Sequence, residues 1–225
     1  MATVYLCGMI FGVWLISEEC QGLLLDDVNT EHQQLQQLRS AIDRIGSTYI
    51  RWGRSGCPAV NGTSLVYSGL AAGAHFNTVG GGVNYLCLPH DPSSFLSASE
   101  IQPQQPYHQG SVYGAEYQFT YRNVAQDDDV PCAVCYVPAA ILMIPAKITC
   151  PPSWTLQYSG FLTTNSDDFN SASDYVCLDD NPQYIEGSRD NRDGKLFYPV
   201  HARCGALPCP PYVDNAYLRC SVCSR

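Results

Sequence analysis

From residue 63 onward, apolar and polar side chains alternate in short runs separated by Gly, Pro, Asn and Asp. The runs are TSLVYSG (63–69), VNYLCL (83–88), AEYQFTYR (115–122), AVCYV (133–137) and AAILMI (139–144), then TLQYSGFL (155–162), DYVCL (174–178), KLFYPVHA (195–202) and AYLRCSV (216–222). Successive side chains of a strand point to opposite faces, so this period of two, rich in Tyr, Val and Phe, predicts short strands in a mainly β, mainly antiparallel body. The segment ahead of them has another period. Val28, Leu35, Ile42 and Tyr49 recur at every seventh position, and Leu38 and Ile45 follow Leu35 and Ile42 by three, with Glu31 as the flaw. That spacing predicts a short amphipathic helix over 26–46, opened by Thr30 with Gln33 as a capping box and stopped by Gly46. The apolar stripe has two meanings. It is either a coiled coil joining several chains through Val28, Leu35, Leu38, Ile42 and Ile45, or a helix packed on its own domain, and so few heptads leave both open.

The cysteines carry a second regularity. Cys57-Pro58 precedes LVYSG (65–69) as Cys150-Pro151 precedes LQYSG (156–160); NYLCLPHDP (84–92) matches DYVCLDDNP (174–182), and CAVC (132–135) matches CSVC (220–223). The offsets are nearly constant: 93 from Cys57 to Cys150, 90 from Cys87 to Cys177 and 88 from Cys132 to Cys220. Gly114-Ala115 likewise recurs as Gly205-Ala206. Such self-similarity predicts two tandem disulfide-stapled units, 49–138 and 139–225, forming one body. Each unit has the order C, C, CxxC, and the second adds Cys204 and Cys209 where the first has Tyr113 and Gln118. The added pair reads as a bridge across a tight Gly/Pro loop. Four cysteines allow three pairings. On a strand, residues i and i+3 face opposite ways, so each CxxC is expected to reach both earlier cysteines of its unit.

Residues 2–16 form an apolar run too short to cross a bilayer, followed at once by Ser17, Glu18 and Glu19. This reads as the core of a signal peptide occupying 1–22, and hence as secretion. Its removal takes away Cys7 and Cys20 and leaves Cys57, Cys87, Cys132, Cys135, Cys150, Cys177, Cys204, Cys209, Cys220 and Cys223. An even set in an oxidising compartment predicts disulfides, in preference to a four-thiolate zinc site or a redox-active CxxC. Asn61-Gly62-Thr63 is a glycosylation acceptor that fits secretion. Later apolar stretches, the strongest at 139–146, are too short for a membrane span. With 21 acidic against 12 basic residues and a net charge of −9, the chain lacks the clustered Lys and Arg that nucleic acids and anionic membranes attract. Cations, carbohydrates and basic proteins fit the balance.

His32, His75, His90, His108 and His201 form no metal-binding pattern, and no nucleophile elbow, P-loop or dinucleotide fingerprint occurs. Gly80-Gly81-Gly82 lies between strand-like runs and reads as a turn. An enzyme is not expected. The acidic runs are Asp127-Asp128-Asp129, Asp167-Asp168, Asp179-Asp180 and the segment 186–194. Among them Asp179, Asp180, Glu186, Asp190 and Asp193 offer oxygen ligands for a calcium ion, although solvated turns are the commoner meaning of such runs. The 15 Tyr, with Trp52 and Trp154, serve either as faces for sugar rings or as packing. A binding site is expected first where the units differ, at LCLPHDP against VCLDDNP, or at the seam between them.

Together, YIRWGRSGCP, NGTSLVYSG, GGGVNYLCLPHDP, GAEYQ, PCAVCY, MIPAKITCPPSWTLQYSG, YVCLDDNP and LFYPVHARCGALPCPPYVDNAYLRCSVCS resemble the C-terminal domain of invertebrate short-chain, spongin-type collagen-like proteins, over 49–225. The resemblance implies an extracellular module placed after a trimerising stem, which favours a homotrimer, and it carries over no activity. Many relatives have Gly-X-Y triplets ahead of this domain; here the 26–45 helix stands in their place. The function expected is a secreted, lectin-like recognition module, multivalent through its N-terminal helix, with glycans or matrix proteins as partners. The alternative is a structural component of the extracellular matrix.

Overall fold

The computed structural model describes residues 18–42, 45–93, 96, 100, 101 and 109–225. The signal peptide expected at 1–22 lies mostly outside these residues, and His108 wholly so. Helix α1 (Glu18–Ile42) starts earlier and ends earlier than the 26–46 predicted, with Arg39 facing the negative end of its dipole. Val28, Leu35 and Leu38 are exposed on it. Two positions of the seven-residue spacing fall outside the helix: Ile45 is exposed and non-helical, and Tyr49 is buried in a strand. α1 belongs to one unit of the chain, Met1–Ile45, and the strands to another, Gly46–Arg225.

The strands are β1 (Ser47–Trp52), β2 (Ser64–Gly73), β3 (Leu86–Pro89), β4 (Tyr113–Tyr117), β5 (Pro131–Val137), β6 (Ile141–Pro145), β7 (Thr155–Thr164), β8 (Val176–Asp179), β9 (Lys195–Pro199) and β10 (Arg219–Ser224). Nine fall within the predicted runs or beside them. β1 does not, because its short alternation of Tyr49, Ile50, Arg51 and Trp52 follows on from the seven-residue spacing of the helix. The run 115–122 stops early at Tyr117. The chain turns back there, with Arg122 and Asp127 at φ 52° and 70° and the Asp127 N–H donating to the Tyr117 carbonyl.

The strands form one sheet in the order β6-β10-β7-β8-β1-β5-β2-β4-β9, with β3 paired to β2 and β9 paired also to β7. The sheet is mainly antiparallel, as expected, but two parallel contacts make it mixed. β4 runs parallel to β9 from Ala115–Lys195 to Tyr117–Phe197, and β1 meets β8 in parallel at Trp52 and Leu178. Side chains sort into two buried layers. One holds Trp52, Tyr85, Tyr117, Phe161, Leu178 and Phe197; the other is built around Tyr49, Tyr158, Leu162 and Val222. The aromatics satisfy their polar ends inside: Tyr85 donates to the Leu196 carbonyl and Tyr158 to those of Ile50 and Cys177. Trp52 packs between Tyr85 and Phe197, so it is a core residue and presents no face to a ligand.

The ten cysteines of the strand unit form five disulfides: Cys57–Cys135, Cys87–Cys132, Cys150–Cys223, Cys177–Cys220 and Cys204–Cys209. As the strand geometry predicts, the two sulfurs of each CxxC leave β5 or β10 on opposite faces and reach both earlier cysteines. Gly205 and Ala206 lie in the exposed loop closed by Cys204–Cys209, whereas Gly114 and Ala115 lie in β4. That dipeptide therefore marks two different local structures.

Candidate functional site

The parallel β4–β9 pair brings together acidic runs that are far apart in sequence. The connection between β8 and β9 crosses the turn 118–130 and is pinned to it at several points. Asp128 is buried and takes both Nε (2.8 Å) and Nη2 (3.2 Å) of Arg189. Its Oδ2 also accepts the Ala125 N–H at 2.8 Å. The Ser188 hydroxyl accepts the Asp129 N–H at 3.1 Å. Glu116, on β4, accepts the Arg192 N–H at 3.0 Å on one oxygen and the Asp193 N–H at 3.3 Å on the other. The charge-assisted bonds from Arg189 to Asp128 and from the Arg192 and Asp193 N–H groups to Glu116, with the Ser188 contact, hold the segment 188–193 against the turn and β4.

A recess of about 310 Å³ opens between these elements, lined by Tyr113, Glu116, Asp129, Asp190 and Arg192 together with glycines. Glu116 and Asp129 stand opposite each other in an isolated antiparallel bridge. Burial pushes the Glu116 carboxyl above its ordinary value; the two N–H donors pull the other way, and Asp129 and Asp193 add to the rise. Asp129 is raised for the same first reason, then by Asp128, with Arg192 opposing. The recess thus has two carboxylates whose protonated forms burial favours, one guanidinium donor and an exposed tyrosine ring. Of these residues, sequence reasoning singled out Asp129 and Asp190 and missed Tyr113, Glu116 and Arg192. The signal for Glu116 was a carboxylate between Ala115 and Tyr117 in a run otherwise suited to burial.

A second recess, about 320 Å³, lies where the loops after β3 and β8 meet the turn after β1, and includes His90, Asn123, Gln183, Tyr184 and Glu186. It contains residues from both loops in which the sequence units differ. Gln183 holds it together, accepting the Ser55 N–H at 3.1 Å and donating its own N–H to the Gly53 carbonyl at 2.7 Å.

The residues suggested for calcium are placed differently. Asp179 is buried and paired with Arg51 at 2.8 Å, and Asp180 with Arg122 and Arg219 at 2.9 and 3.2 Å. Asp190 pairs with Arg192 on the surface, Glu186 is exposed and Asp193 half-buried. Among the described residues, no group of three or more His, Cys, Asp or Glu side chains is arranged to hold a metal ion. Asn61 is exposed in the turn between β1 and β2. No described helix is long and apolar enough to cross a membrane. No protein-family model matches the chain.

Proposed function

We propose that the chain is a secreted, lectin-like recognition module that binds glycans in the β4–β9 recess. One observation carries the binding assignment: buried Glu116, oriented by two backbone N–H groups, faces Asp129 beside Arg192 and the exposed Tyr113 ring. A sugar offers hydroxyls that both donate and accept, together with an apolar ring face, and these groups supply acceptors, a donor and an aromatic surface in one concavity. Five disulfides favour an oxidising, extracellular setting. Exposed Asn61 is the proposed glycosylation site, and the spongin-type resemblance points to the same compartment.

The body reads as one unit used twice. What supports this is the match of pairings: β1–β5, β5–β2, β2–β3 and β2–β4 on one side, and β6–β10, β10–β7, β7–β8 and β7–β9 on the other. Registers agree residue by residue. Gly69 stands opposite Cys132 and Pro89 as Gly160 stands opposite Cys220 and Asp179, and both ladders slip by one residue, at Val66 and at Gln157. The turn after β1 has Gly53 at φ 82°, and the turn after β6 has Ala146 at φ 59°. The loops after β2 and β7 also meet each other, Phe76 edge-on to Phe169 and Asn77 bonded to Asn170. Those two Phe-Asn dipeptides are a repeat that the cysteine alignment passes over.

Several copies presented through α1, whose Val28, Leu35 and Leu38 are exposed, would convert weak glycan sites into useful avidity. A glycan array probed with the intact secreted protein, with and without calcium, tests the reading. Binding to defined glycans, lost in Tyr113→Ala and weakened in Asp129→Asn, is expected; silence in both conditions refutes it. The structural-matrix alternative draws on the use of all ten cysteines of the strand unit in disulfides, and silence on the array would favour it.

A further inference from the structure

On the duplication reading, the two units are joined by a contact that is made once and left open once. At the closed seam, β1 lies against β8: Trp52 pairs with Leu178, Arg51 binds Asp179, and the Tyr158 hydroxyl reaches the Ile50 carbonyl. Phe161 and Leu178 are 9% and 0% exposed there, and Tyr158 is 5% exposed. The corresponding positions of the first unit follow from the registers: Leu70 for Phe161, Leu88 for Leu178, Tyr67 for Tyr158 and Pro89 for Asp179. β3 pairs only with β2 among the described strands. Leu70, Leu86 and Leu88 are 38%, 40% and 39% exposed, and Tyr67 is 36% exposed. Tyr67 keeps the bond to Cys87 that Tyr158 makes to Cys177. It lacks the second contact, the one that β1 supplies.

The strand that corresponds to β1 is β6, with Ile144 for Arg51 and Pro145 for Trp52. β6 is a terminal strand of the sheet and is half-exposed, with Leu142 outward. Where the closed seam carries an arginine against an aspartate, the open strands carry an isoleucine and a proline. Both members of the ion pair are replaced by apolar residues, so bringing β3 and β6 together would strand no charge. Pro89 and Pro145 remove the N–H donors at the junction, so the contact would run through side chains and not through a ladder.

We infer that the β3 face of one copy is covered by β6 of a second copy, repeating between chains the contact that β8 and β1 make within one. Each copy offers one β3 face and one β6 strand, so the association is head-to-tail and closes into a ring where the rotation allows. This surface shares no residue with α1 or with the glycan recess.

The test uses full-length chains, one preparation labelled with heavy nitrogen, mixed with unlabelled chains carrying a benzophenone amino acid in place of Leu86. On irradiation, cross-links between heavy and light chains that map to 141–145 are expected. Sedimentation of Leu70→Glu/Leu88→Glu should show association weakened at least tenfold, whereas Leu35→Lys/Leu38→Lys leaves the β6 cross-links in place. Cross-links that stay within one chain, fall elsewhere or fail to form overturn the inference, as does unchanged sedimentation of the β-face variant. Disulfide mapping of the same preparation separates the two ideas: matching connectivities without the cross-link leave the duplication standing and remove only the interface.

Discussion

Gly160→Ala is expected to be among the most destabilising small substitutions in the strand unit, and clearly worse than Gly69→Ala, its counterpart in the YSG motif. A methyl group at Gly160 would sit 1.6 Å from the Leu178 carbonyl oxygen and 2.7 Å from its carbon. Relief requires β7 and β8 to part by roughly 2 Å, since heavy atoms settle near 3.5 Å. β8 has nowhere to go. β1 backs it at Leu178, Arg51 grips Asp179, and Cys177 is bonded to Cys220 on β10. At Gly69 the methyl would lie 2.0 Å from the Leu88 oxygen; β3 has the matching bond from Cys87 to Cys132, but among the described strands of the single chain none backs it on its far side, so it can give way. Overpacking a rigid core costs about 1–3 kcal/mol. Gly160→Ala is placed at or above about 3 kcal/mol, and Gly69→Ala nearer about 1 kcal/mol. For a chain of this size the first corresponds to a fall of about 6–12 °C in Tm. Urea and thermal unfolding with the disulfides intact measures both. Equal costs, the reverse order, or a loss below about 1 kcal/mol at Gly160 would refute the argument that β8 is clamped.

Two further outcomes follow from buried charge. Arg51→Met leaves the Asp179 carboxylate buried with the Asn181 N–H as its remaining partner, and should cost about 3–5 kcal/mol; Arg51→Met/Asp179→Leu should recover more than half, and a double variant no better than the single would show that the pair is not the cause. Glu116 and Asp129 both titrate above their ordinary values, so in the window between ordinary and raised values the folded state binds more protons than the unfolded state. Their contribution to stability therefore falls as pH rises through that window and is recovered on acidification. Glu116→Gln should flatten this part of the profile, read as the difference from wild type in urea titrations between about pH 4 and 7; a difference that does not vary with pH contradicts the assignment.

The β character and most strands were legible because period-two alternation is local. So was the route of each CxxC, because the opposite facing of i and i+3 is a property of any strand. What escaped was long-range. Trp52 reads equally as a ligand platform or a core residue until β8 arrives from more than a hundred residues away. The parallel pairs β4–β9 and β1–β8 leave no pattern in either partner, and they are what make the sheet mixed. The recess suffered the same way: Asp129 and Asp190 stood out as members of acidic runs, while Glu116 and Arg192 acquire meaning only when β9 lies beside β4. Conversely, the seven-residue spacing ran past the end of the helix, since a repeat count does not register that Tyr49 has a better partner in Gln157, to which its hydroxyl donates at 2.9 Å.

The Cys57–Cys135 and Cys150–Cys223 bonds have a mechanical consequence. Each is a covalent short cut across nearly a whole unit, with its Cα atoms 5.8 Å apart. Under tension between residue 46 and the C-terminus, force passes through these bonds, and only the segments outside them can pay out. About 28 peptide units are free to extend, roughly 100 Å, against roughly 600 Å for the same chain without cross-links. Everything between the bonded cysteines, including each lining residue of the β4–β9 recess, hangs off the load path as closed loops, whereas Ser55 of the second recess and the whole of β6 lie on it. A tether built this way yields a short, fixed length and then stiffens.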